Sequence, residues 1–149
     1  WNYSFNISAL AQINAETKST TSKTRAKNKS FVLVVEDDLT SQELIKTILK
    51  KYYQIVIVSS AQEAIDALKE RPFELILMDI SIRGGVSGLE LTKLLRKTEE
   101  YAELPIIAVT AHAFPSDHQL SLEAGCNEYI SKPFESKELL EKVRELIEE

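Results

Sequence analysis

The chain is short of residues that punctuate or cross-link a fold: its 149 positions include four Gly, four Pro, one Cys, one Met and one Trp. Cys126 has no partner cysteine, so no internal disulfide forms, and a reducing compartment is expected. One Cys with two His (His112 and His118) is too thin a set for a zinc site. Long apolar runs are missing too. No window approaches the roughly 18 unbroken apolar residues of a membrane span. No signal-peptide pattern opens the chain, and Trp1 in place of Met predicts a fragment or processed product. The expected setting is cytoplasmic, with no membrane contact by this domain. What is present, 44% apolar and 28% charged residues, is the make-up of a globular protein with room for one ordinary domain and a tail.

Charge is unevenly placed. Residues 1–30 hold five cations (Lys18, Lys23, Arg25, Lys27, Lys29) and one anion (Glu16), leaving 13 cations against 22 anions, a net charge of −9, in residues 31–149. A unit that acidic is a poor ligand for nucleic acid, so no direct nucleic-acid partner is expected. Residues 15–30 are rich in Ser, Thr and Lys without apolar period, a composition read as a solvated tether. Before them, Trp1, Tyr3, Phe5 and Ile7 alternate with polar residues as in a strand. A lone strand cannot bury its face, so residues 1–30 are expected to be a tail, either the remnant of an upstream domain or a segment docked on the main one.

From residue 31 two patterns alternate. Strand-like runs fall at 31–35, 54–58, 74–79, 104–109 and 127–131, and helix-like runs near 40–52, 61–71, 88–99, 112–124 and 135–148. The last helix sets Leu139, Leu140, Val143, Leu146 and Ile147 on one face, and Thr40-x-x-Glu43 suits a capping box for the first. Five β-α units with apolar strands imply an α/β fold, a parallel sheet covered by helices on both faces. Ligands of such sheets bind at the carboxyl ends of the strands.

That edge collects the unusual residues. Glu36, Asp37 and Asp38 follow the first strand-like run, Asp79 ends the third, Thr110 follows the fourth and Lys132 the fifth. Three adjacent carboxylates repel unless they diverge or something offsets them. A hard divalent cation would do so, since Mg²⁺ (or Mn²⁺) takes one or two carboxylates, keeps waters and welcomes a phosphate oxygen. Asp79 is then a third ligand or a nucleophile that forms an acyl phosphate. Lys132 would neutralise one phosphoryl oxygen and Thr110 donate to another. Asp38 is expected to turn away as a helix cap.

The segments VLVVEDD at 32–38, LILMD at 75–79, PIIAVTA at 105–111 and AGCNEYISKPF at 124–134 resemble the CheY-like receiver domain of two-component response regulators. The resemblance covers residues 31–149. It implies a flavodoxin-like (βα)5 three-layer sandwich with strand order 2-1-3-4-5. It makes Asp79 the phosphoacceptor. Glu36 and Asp37 match the acidic metal pair, and the Ser81 carbonyl is expected as a further metal ligand. Thr110 and Lys132 match the phosphate-sensing hydroxyl and lysine, and Tyr129 the aromatic switch position. Ser81 and His112 fall where the family tunes hydrolysis of the acyl phosphate, and Lys132–Pro133 where its peptide is usually cis. The implied partners are a histidine kinase or histidine phosphotransfer protein, and a downstream protein on the face made by the fourth helix, fifth strand and fifth helix.

One stretch departs from the family. Ser81-Ile-Arg-Gly-Gly-Val-Ser-Gly88 has Arg83 where relatives often have Pro, and the loop is one residue longer, an insertion Gly84 and Gly85 can absorb through positive φ. Small Ala111 should leave the site open to a bulky donor. Pro115 suits a first helical turn and Cys126 a small buried position. Two rivals stand beside the receiver reading. A haloacid-dehalogenase-type phosphatase wants a second Asp two residues after its nucleophile, where this chain has Ser81. A receiver-like binding module that no longer takes phosphate would lack a carboxylate or the lysine, and none is missing. A stand-alone regulator and the terminal receiver of a hybrid sensor histidine kinase both fit, with the strand-like start and basic tether favouring the hybrid.

Overall fold

The computed structural model describes residues 29–82, 84–112 and 114–148. The strand expected at Trp1–Ile7, nearly all of the tether and Arg83 lie outside them. The elements run β1 (Phe31–Val35), α1 (Leu39–Leu49), β2 (Gln54–Val58), α2 (Ala61–Glu70), β3 (Leu75–Asp79), α3 (Gly88–Arg96), a 3₁₀ turn (Glu99–Tyr101), β4 (Ile106–Thr110), α4 (Pro115–Ala124), β5 (Glu128–Ser131) and α5 (Ser136–Ile147). All pairings are parallel and the order is β2-β1-β3-β4-β5, as expected.

The strands read as continuous apolar runs because both faces are covered. Successive side chains point to opposite sides of a pleated strand. Leu33, Val35, Ile76, Met78, Ile106 and Ala108 join one core with Ala64, Ile65 and Leu68 of α2 and Leu91 and Leu95 of α3. Val32, Val34, Leu75, Leu77, Ile107 and Val109 join the other with Ile45 and Leu49 of α1 and Leu139 and Val143 of α5. Each fully buried Leu or Ile contributes about 2 kcal/mol. A charge in β1 or in β3, the central strand, would be severely damaging, because Val32 to Val35 and Leu75 to Met78 have no exposed surface at all.

Helix ends explain where the elements begin. α1 is capped by Asp38, whose Oδ2 accepts from the Ser41 N–H at 2.8 Å. The Thr40–Glu43 box is therefore corrected: Leu39 is already helical, and Asp38, directly before it, takes the free amide. A true capping box occurs at α3, where Ser87 and Glu90 each accept from the other's backbone N–H at 3.2 Å. Pro115 opens α4, as expected. Gly84 and Gly85 take φ of 75° and 136° in the loop after β3.

Parallel pairing throughout brings the carboxyl end of every strand out at the same edge. Register places Val35 beside Val58 and Met78, Asp79 beside Val109, and Thr110 beside Ser131.

Candidate acidic site at the carboxyl edge of the sheet

The end of β1 is built to separate its acids. The Glu36 N–H donates to the Val58 carbonyl at 2.9 Å, and Glu36 Oε2 accepts from the Asp38 N–H at 3.1 Å. Glu36 is turned inward with 1% exposure, while Asp38 is spent on the α1 cap. Asp79, 3% exposed, ends β3; its Oδ1 accepts from the Ser81 N–H at 2.9 Å and the Ser81 hydroxyl at 2.8 Å. Gly88 lets the chain pass against Asp79, because a Cβ there would overlap the Asp79 carbonyl oxygen and the Ile80 backbone. Glu36, Asp37 and Asp79 each offer a carboxylate oxygen within 4.8 Å of the others.

Lys132 reaches over this cluster from the end of β5. Its Nζ lies 2.8 Å from Glu36 Oε1 and 3.6 Å from Asp79 Oδ2, and its N–H donates to the Thr110 carbonyl at 2.8 Å. The Lys132–Pro133 peptide is cis. Burial alone would push the Lys132 pKa down, but Glu36, Asp79 and Asp38 more than offset this, and the net shift is upward. Burial, together with the neighbouring Asp79 carboxylate, pushes Glu36 up to about 7, against the lowering effect of Lys132 and the Asp38 amide. Asp38 is held below its usual value by the Ser41 bonds. The crowded carboxylates are therefore offset in two ways, by an ammonium and by diversion of Asp38, and the crowding that remains shows in the raised pKa of Glu36.

Thr110, 2% exposed, has its hydroxyl engaged by one neighbour: it donates to the His112 carbonyl at 2.9 Å and accepts from the His112 N–H at 3.1 Å. The exposed His112 ring stacks on Phe114, with centroids 5.7 Å apart. Tyr129, half-buried on β5, is stacked by His118 of α4 at 3.5 Å, and Lys142 of α5 lies 5.8 Å from its ring. Asp79, Glu36, Asp37 and Lys132 thus meet directly, with Thr110 tied to Lys132 through the backbone. His112 and Tyr129 stand outside that group. Sequence reasoning missed two side chains: Gln42, which donates to the Glu36 carbonyl at 2.6 Å, and His118. Gln42 had one readable signal, a polar residue four positions after a capping Asp.

Residues 32–144 match the family described as the response regulator receiver domain. The chain belongs to that family. The polar-differentiation response regulator DivK of Brucella ovis is 38% identical over 114 residues, 76% of this chain and 92% of that protein. Among solved structures, the receiver domain of a sensor histidine kinase from Pseudomonas aeruginosa has a TM-score of 0.75 and 30% identity, over 81% of this chain and 99% of that one. That structure has a magnesium ion coordinated in its active site cleft. A putative response regulator from Chloroflexus aurantiacus has a TM-score of 0.78 and 28% identity, over 82% and 100%. The chain is a response regulator receiver domain, and neither the phosphatase nor the phosphate-independent alternative is favoured.

The donor set of this receiver domain fits a hard cation. It is all oxygen, carries three carboxylates against one ammonium, and includes Glu36 Oε1, a buried oxygen with no hydrogen bond besides its ion pair to Lys132. Among the described residues no helix is long and apolar enough to cross a membrane.

Proposed function

We propose that this receiver domain takes a phosphoryl group from a phosphohistidine onto Asp79, in a two-component pathway. The observation that carries the reading is the meeting of three carboxylates and Lys132 at one sheet edge. Glu36, Asp37, Asp79 and the Ser81 carbonyl would hold a Mg²⁺, which would supply charge neutralisation for the phosphoryl oxygens. The Asp79 carboxylate attacks phosphorus, the P–N bond breaks, and the imidazole leaves with the electron pair. Ser81 fixes Oδ1 of the nucleophile through two hydrogen bonds, which restricts the carboxylate before attack. Lys132 stays protonated and moves from the carboxylates to a phosphoryl oxygen, since phosphorylation adds roughly −1.5 to −2 charge there.

Thr110 then exchanges its His112 bonds for the phosphoryl group, and Tyr129 follows, shifting an existing equilibrium on the face formed by α4, β5 and α5, where a downstream protein docks. Ser81 and His112 tune the hydrolysis rate. The donor is a histidine kinase or histidine phosphotransfer protein on the cytoplasmic side. The unit occupies residues 31–149, with 1–30 as its tether, in the context of a hybrid sensor kinase.

The test is incorporation of label from acetyl phosphate with Mg²⁺. Wild type is labelled, Asp79→Asn and chelator-treated protein are not, and undiminished labelling of Asp79→Asn refutes the assignment.

A further inference from the structure

The end of β2 brings no acid or lysine to the site, yet the structure ties it to the acidic pair. Gln42, in the first turns of α1, turns its side chain back six residues. Its Nε2 donates to the Glu36 carbonyl at 2.6 Å and to the Ser59 hydroxyl, just past β2, at 3.3 Å. Ser59 is itself held from α2, its N–H donating to Glu63 Oε1 at 2.9 Å.

The Glu36 carbonyl needs such a partner. The ladders of β1 with β2 and β3 both end at Val35, so the next carbonyl has no strand to pair with, and Glu36 is buried. An unpaired carbonyl there would be costly, or the chain would shift to expose it. The carbonyl also belongs to the planar peptide joining Glu36 to Asp37. Fixing its direction fixes the plane from which both acids depart.

We propose that Gln42 is a positioning residue for the cation site: it locks the Glu36–Asp37 peptide plane and couples the loop after β2 to it. This rests on the reading of Glu36 and Asp37 as cation ligands. Gln42 touches neither cation nor phosphoryl group, so its loss should act on cation affinity and leave the chemistry at saturating cation intact.

The experiment is calorimetric titration of the whole chain with Mg²⁺ and Mn²⁺, paired with acetyl phosphate labelling across a Mg²⁺ series. Gln42→Ala removes the amide, and Gln42→Met removes both donors while keeping the volume of the side chain, so that a variant with an intact fold is available. Urea unfolding and circular dichroism report the fold. Both variants should bind cation five- to twenty-fold more weakly, with a labelling rate at saturating Mg²⁺ within twofold of wild type. Ser59→Ala, which removes only the longer bond, should fall between. Folded variants that bind Mg²⁺ within twofold of wild type overturn the positioning role alone. A labelling rate that stays low at saturating Mg²⁺ also overturns it. A wild type with no saturable cation binding overturns the cation reading, and this inference with it.

Discussion

Neutralising Asp79 should make the cation-free protein more stable. Asp79→Asn keeps the shape of the side chain, and its Oδ1 can still accept both Ser81 bonds. What changes is charge. With one oxygen of each acid within 4.8 Å of the others, Asp79 is repelled by Glu36 and by Asp37 by about 3.5 kcal/mol each at an effective dielectric near 20. Its attraction to Lys132 at 3.6 Å is about 4.6 kcal/mol on the same scale. The balance favours removal of the charge by about 2 kcal/mol, and solvent around the more open Asp37 screens part of it. Turning two charge-assisted Ser81 bonds into neutral ones returns about 1 kcal/mol. Asp79→Asn should therefore gain about 1 kcal/mol at pH 8 in EDTA, a rise in Tm of about 3–5 °C for a domain of this size. The assay is thermal and urea unfolding with EDTA and with Mg²⁺. Excess Mg²⁺ should close or reverse the gap, because a cation at 100 times its Kd stabilises the native wild type by about 2.7 kcal/mol. A variant less stable than wild type in EDTA, or a gap that ignores Mg²⁺, refutes the reasoning.

Three further outcomes are expected. Glu36 ionises near its ordinary value of 4.5 when unfolded but at about 7 in the fold, so its contribution is fully present below pH 4.5 and is lost as pH rises through 7; urea midpoints in EDTA should fall across this window in wild type and lose that component in Glu36→Gln, and parallel curves would contradict it. Arg96 donates to the Gly125 and Tyr101 carbonyls and to Asn127 Oδ1, each at 2.8 Å; Arg96→Ala should cost about 3 kcal/mol in urea unfolding, and a loss below about 1 kcal/mol would show these bonds to be replaceable by water. Gly88→Ala should lower both Tm and acetyl phosphate labelling, because the new methyl must displace the Asp79 backbone; normal labelling in a folded variant would show that the loop yields without moving Asp79.

What could be read from the sequence follows from topology. Glu36, Asp79, Thr110 and Lys132 are far apart in the chain, but each follows an apolar run, and parallel strands leave only one edge for them to share. Element ends were harder to read. Two cap patterns overlap at the start of α1, and Asp38 prevails over Thr40 because it stands nearer the end of β1. α4 starts at Pro115, later than residue 112, because the Thr110 hydroxyl holds His112 in a turn. α3 stops at Arg96, whose side chain is drawn to Gly125 and Asn127, and the chain then tightens into a 3₁₀ turn. Gln42, Arg96 and the His118–Tyr129 stack escaped notice for one reason: each acts on a residue that only tertiary folding brings near.

The strand order also leaves room for stepwise assembly during synthesis. β1, made before β2 and β3, ends up inside the sheet between them, while β5, made after the other four, forms a margin. A nascent chain can therefore lay down the β2-β1-β3 slab, with Glu36, Asp37 and Asp79 already in place, before Thr110 and Lys132 leave the ribosome. Such a slab would hold its carboxylates without the ammonium of Lys132, which follows β5, and a cation would be their first partner.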